Sequence, residues 1–120
     1  MISTAKLKYL GVSAQKTRLV VDQVRGKPVG EARDLLLYSR KLVAKDLKKL
    51  LDSALANAQQ KDAKLDPDSL VVSRATVDEG PQQKRIRHRS MGRVYRIIKR
   101  TCHVTIELDQ AGATGRNVRA

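Results

Sequence analysis

The chain has 120 residues, enough for one small domain with a modest core. It contains no Phe or Trp and a single Cys, so the core must be aliphatic, and an internal disulfide framework or a cysteine-rich zinc site is excluded. Its 25 Lys+Arg against 12 Asp+Glu leave a net charge of +13, a self-repulsion that a polyanion relieves.

Residues 3 to 10 alternate Ala5, Leu7 and Tyr9 with Lys6 and Lys8, which predicts a short half-buried strand ended by Gly11. Ser13 is suited to N-cap a helix over residues 14 to 25, with Ala14, Thr17, Val20, Val21 and Val24 on one face. Gly26 and Pro28 then stop it. A shorter helix is expected over 30 to 38, with Ala32, Leu35 and Leu36 inward. The strongest periodicity follows: Val43, Leu47, Leu50, Leu51, Ala54, Leu55 and Ala58 make the apolar stripe of a helix of about five turns. A polar loop over 61 to 69 leads to a strand over 70 to 77. A second strong strand, over 101 to 108, places Cys102, Val104, Ile106 and Leu108 on one face. The segment 110 to 120 is small and polar and is expected to be disordered without a partner.

Between the last two strands, no acidic residue occurs from Gly80 to Ile106. That run carries Lys84, Arg85, Arg87, Arg89, Arg93, Arg96, Lys99 and Arg100, with His88 among them. Flanking strands predict a β-hairpin over 81 to 98 turning at Ser90-Met91-Gly92, with arms of about nine residues reaching about 30 Å. A two-stranded hairpin with eight like charges is unstable alone, so its order should couple to binding of an anion. Arg forks grip phosphate bidentately, and eight phosphate contacts would give a salt slope approaching about −7 on a duplex-like target. The scarcity of aromatic rings argues for recognition of shape and backbone rather than base stacking. A solvated basic tail is the bland alternative, but this run is internal and interleaved with Ile86, Val94, Ile97 and Ile98.

Four blocks resemble a known family: Ser13 to Lys27 (SAQKTRLVVDQVRGK), Leu51 to Ala58 (LDSALANA), Val77 to Pro81 (VDEGP) and Lys84 to Ile106. In this order and spacing they are similar to bacterial large-subunit ribosomal protein twenty-two. The resemblance implies an α+β fold: three helices on a small three-stranded antiparallel sheet, with a long protruding basic hairpin at about 79 to 100, all within one domain over residues 1 to 109. It implies binding to large-subunit (23S) rRNA, help in ribosome assembly, and a hairpin tip lining the nascent-peptide exit tunnel, close to where macrolides act. Implied partners are that rRNA, neighbouring large-subunit proteins and the nascent peptide, in the cytoplasmic ribosome, with no membrane, cofactor or metal and no homo-oligomer. The RNA-binding residues carried over are Ser13, Gln15, Lys16, Arg18, Arg25 and Lys27, then Lys84, Arg85, Arg87, His88, Arg89, Arg93, Arg96, Lys99, Arg100 and His103. The tunnel-facing tip would be Arg87, His88, Arg89, Ser90, Met91, Gly92 and Arg93. Met91, His88, Val94-Tyr95 and Cys102 depart from the family's usual residues, which alters the tip's shape and charge.

Rival classes fit less well. Adjacent Cys102 and His103 point to opposite faces of a strand and cannot pair as nucleophile and base. No phosphate-cradling glycine motif is present, Asp78-Glu79 before Gly80-Pro81 reads as turn chemistry, and Ser13 to Lys16 is better explained by N-capping than as a nucleophile motif. A free-standing RNA- or DNA-binding regulator is the alternative, yet the charge is densest on the hairpin and not on a recognition helix. No 20-residue apolar span or secretory signal is evident, so a soluble intracellular protein is expected.

Overall fold

In the computed structural model, which describes residues 3–64 and 66–110, two sheets of different character divide the molecule. The elements run β1 (Ser3–Leu10), α1 (Ala14–Val24), α2 (Val29–Leu37), α3 (Val43–Lys61), β2 (Leu70–Glu79), β3 (Gln83–His88), β4 (Val94–Lys99) and β5 (Cys102–Gln110). Strands β1, β5 and β2 form an antiparallel sheet with β5 in the centre, while β3 and β4 pair only with each other. This is the α+β arrangement expected from the sequence. Of the segment 110 to 120, expected to be a disordered tail, Gln110 instead ends β5 opposite Leu70, and residues 111 to 120 lie outside the described residues.

The core lies between one face of the sheet and the helices. Cys102, Val104, Ile106 and Leu108 alternate inward along β5 and are fully or almost fully buried. They meet Leu47, Leu51 and Ala54 of α3, Val20, Val21 and Val24 of α1, and Leu70, Val72 and Ala75 of β2 in a single cluster. With rings absent, small aliphatic side chains fill this space, and Ala44, Ala54 and Ala58 at 0% exposure let α3 approach closely. The Cys102 thiol is buried against the Thr17 hydroxyl, 3.4 Å away.

The β2 edge of the sheet is covered and the β1 edge is met at one carbonyl. Along the outer edge of β2, Arg18 donates from Nε and Nη2 to the Val77 carbonyl, and Arg25 does the same to the Ala75 carbonyl. Further along, Gly26 and Lys27 exchange backbone hydrogen bonds with Val72. An edge that would otherwise template pairing with another chain is thereby occupied by α1 and the segment after it. On the β1 side, Asn57 of α3 donates to the Thr4 carbonyl, and Ser3 donates to the Ala54 carbonyl.

Two sequence expectations are corrected. Tyr9, expected to share the face of Ala5 and Leu7, is 66% exposed, and Leu10 points inward instead. The β1–β5 register shifts between Leu7 and Leu10, and Tyr9 takes φ +60, so the extra residue reverses the alternation. Leu35, expected inward, is 39% exposed, because Val29, Ala32 and Leu36 make the buried stripe and Leu35 lies about 100° from Leu36 around the helix.

Candidate nucleic-acid interface

The hairpin departs from the sheet where β2 and β5 end their pairing, at Glu79 opposite Cys102. Gly80 donates to the Thr101 carbonyl at 2.9 Å, and the Thr101 hydroxyl donates to the Pro81 carbonyl at 2.7 Å. Gly80 is demanded by space: a Cβ there would stand 2.5 Å from Thr101 Oγ1 and 3.2 Å from the His103 ring. Pro81 has no N–H to continue a ladder, so pairing resumes only at Gln83. The paired arms are therefore six residues each, shorter than the nine expected, or about 20 Å of ladder. The molecule nevertheless extends 65 Å along its long axis against 25 and 24 Å across.

The tip forms at the expected place. Ser90, Met91 and Gly92 make a tight turn closed by a 2.7 Å bond from Arg89 N–H to the Arg93 carbonyl. Met91 and Gly92 both take positive φ, +63 and +72, so Gly92 suits its place while Met91 bears the steric cost of a β-carbon in the left-handed region. Met91 is 95% exposed at the apex.

Every residue from 81 to 100 is exposed except Ile97, which is half-buried. Register places Arg85, Arg87 and Lys99 on one face with Ile97 and Tyr95. The other face carries Lys84, His88 and Arg96 with Ile86, Val94 and Ile98. Both faces are thus cationic, and each mixes charge with apolar surface. Among the described residues no carboxylate pairs with a hairpin cation; the ion pairs lie on the helices and the α1–α2 connection. Arg89 lies over the Tyr95 ring at 5.9 Å, and Arg85 is held by Gln83 and the Lys84 carbonyl. The arm therefore presents an almost uncompensated positive charge to whatever surrounds it.

Other predicted residues fall into two groups. Ser13 caps α1, accepting from the Lys16 N–H, and it lines a cleft with Gln15, Gln82 and Arg100 at the hairpin root. An adjoining cleft brings Lys16 beside Gln83, Lys99 and Arg100. Ser13, Gln15, Lys16, Lys99 and Arg100, distant in sequence, thus converge where arm and domain meet. Arg18, Arg25, Lys27 and His103 do not join them in this way. Arg18 and Arg25 hold the β2 edge, and Arg25 also pairs with Asp22 at 2.6 Å. Lys27 lies 3.8 Å from Glu31. The His103 Nδ1 accepts the Tyr9 N–H at 3.0 Å, and the two rings meet edge-on at 5.0 Å. Gln82 and Thr101 were not singled out from the sequence, although their position beside Gly80-Pro81 marks the root. No group of three or more His, Cys, Asp or Glu side chains suited to a metal occurs among the described residues, and none of their helices is long and apolar enough to cross a membrane.

Comparison with known proteins accounts for this arrangement. Residues 5–109 match the model of the family described as ribosomal protein L22p/L17e. The chain belongs to that family. It is 50% identical over 107 residues to the large ribosomal subunit protein uL22 of Anaeromyxobacter sp. (strain Fw109-5), an alignment covering 89% of this chain and 74% of the relative. Family membership makes the chain a structural ribosomal protein and not an enzyme.

Proposed function

We propose that the chain is a constituent of the large ribosomal subunit, in the cytoplasm, where its hairpin and hairpin root bind 23S rRNA, aid its assembly, and bring the tip to the wall of the nascent-peptide exit tunnel. The observation that carries this reading is the arm itself: eight Lys and Arg side chains, exposed on both faces and at the turn, with no carboxylate partner among the described residues. Anionic walls on both sides neutralise such an arm, and RNA supplies them through phosphates. The interleaved Ile and Val side chains pack against ribose and base surfaces, and the Arg planes stack on unpaired bases. Arg85, Arg87, Arg93 and Arg96 are the principal phosphate ligands in this reading. Lys16, Lys99 and Arg100 hold RNA at the root, beside Ser13 and Gln15. Arg18, Arg25 and His103 act mainly through the fold that aims the arm. Neighbouring ribosomal proteins and the nascent chain are the remaining partners, and the protein works as a single copy.

Ultraviolet crosslinking in cells, mapping both RNA sequence and attached peptide, tests the reading. Crosslinks from Lys84 to Arg100 to large-subunit rRNA are expected. Crosslinks mainly to other RNAs, with the protein absent from large subunits, would replace it with a free-standing RNA-binding regulator.

A further inference from the structure

Away from the hairpin, six large apolar side chains are exposed among the described residues; Tyr9 and Leu19 stand apart, and the other four fall in one short segment. Leu35, Leu37, Tyr38 and Leu42 all lie at the C-terminal end of α2 or in the turn to α3, and Leu37, Tyr38 and Leu42 are 54%, 80% and 81% exposed. Folding has left these side chains in water although the core lies directly beneath, at Leu36 and Val43. A clustered apolar surface of this kind marks a contact more often than a scattered leucine does. Its surroundings are cationic. Arg40, Lys41 and Lys45 are exposed, and no acidic residue occurs between Asp34 and Asp46. Elsewhere on the same helix pair, Arg33 and Lys48 each find Asp52, but among the described residues these three cations have no carboxylate partner.

The position also matters. A groove lined by Tyr9 and Leu10 of β1 with Asp46 and Lys49 of α3 shows that α3 begins near the Leu10 end of β1. Leu10 pairs with Cys102, the residue at which the hairpin rejoins the sheet. The α2–α3 turn therefore opens at the end of the domain from which the arm leaves.

We infer that this turn is a second RNA contact, taking one unpaired nucleotide with its base on the Tyr38 ring and the flanking phosphates on Arg40, Lys41 and Lys45. The inference rests on the RNA-binding reading above. An exposed ring among three uncompensated cations meets the two demands of a single-stranded nucleotide, a flat apolar face and an anionic backbone. Leu37 and Leu42, also exposed, add apolar surface to the same turn. An acidic apolar protein segment would meet the charge as well, but leaves the most exposed ring without a specific role. With the arm in one RNA segment and this turn on another, the domain ties two segments together.

The test places a photoreactive benzoylphenylalanine at position 38 in one full-length chain and at position 91 in another, each assembled into ribosomes in cells and then irradiated. RNA attached at both positions, from different segments, is the expected result. RNA at position 91 with protein or nothing at position 38 overturns this inference and leaves the hairpin reading intact. RNA at position 38 with neither RNA nor nascent peptide at position 91 sustains the turn and overturns the hairpin reading, and no crosslink at either position overturns both. A second measurement uses an in vitro transcript of the crosslinked large-subunit RNA. Tyr38→Ala should weaken binding by about five- to a hundredfold while Tyr38→Phe retains it. Replacing Arg40, Lys41 and Lys45 with Ala should reduce the salt slope by about 2 for a single strand. An unchanged affinity and slope would overturn the inference.

Discussion

The globular domain and the hairpin are built from one chain by opposite rules. The domain buries an aliphatic cluster, pairs both edges of its sheet with helix-borne donors, and leaves no described buried side-chain polar atom without a partner. The hairpin buries almost nothing, pairs two strands and no more, and compensates almost none of its charge. Stability in the first is supplied by the chain itself. Stability in the second must be supplied by its surroundings, because an isolated pair of strands is marginal even without eight like charges.

Perturbations that separate these rules run from large to small. Leu47→Ala, in a side chain 1% exposed, should cost about 3 kcal/mol in chemical denaturation and lower the thermal midpoint, with the arm's local behaviour unaffected. A comparably large contrast should appear in amide exchange of the free protein. Amides of β2 and β5 should be protected up to the global unfolding free energy, and those of residues 84 to 99 should exchange almost freely. Strong protection across the arm would show that it is ordered without RNA and erase the contrast. Gly80→Ala lies on the boundary. Its Cβ would collide with Thr101 and His103, costing about 1–3 kcal/mol, and amide chemical shifts should move at the root as well as in the sheet. Arg25→Met should cost about 1–2 kcal/mol through loss of its bonds to the Ala75 carbonyl, whereas a purely RNA-directed side chain would leave stability unchanged. Arg93→Glu should shift the thermal midpoint least of all, while impairing incorporation into large subunits.

The domain was largely legible in the sequence because each of its elements is written in a local period. The stripe from Val43 to Ala58 and the alternation from Cys102 to Leu108 appear almost as read. Legibility ended where one residue changes the phase, as at Tyr9, or where a weak stripe admits two rotations, as at Leu35. The arm was legible through its charge, its acid-free span and its turn residues. The functional assignment of individual cations was less so. Arg18 and Arg25 look, in composition, like Arg87 and Arg93, but their guanidinium groups reach carbonyls 59 and 50 residues away. Such a bond leaves no local trace. His103 is a similar case, since its acceptor is used by an N–H 94 residues distant. Conversely, nothing in the spacing of residues 37 to 45 announces that Tyr38 and Leu42 face outward, because a helix connection has no period from which to read a face.

The central place of β5 has a consequence for how the protein is made. β1 and β2 never touch as partners; among the strands each pairs only with β5, and Ser3 meets Leu108 across nearly the whole described chain. Translation therefore delivers the three helices, both outer strands and the entire basic arm before the strand that joins them. At about 5–20 residues per second, β1 waits roughly 5–20 s for its partner. During that interval the arm is already available to RNA while the sheet is still open, so capture of the arm can precede closure of the domain that carries it.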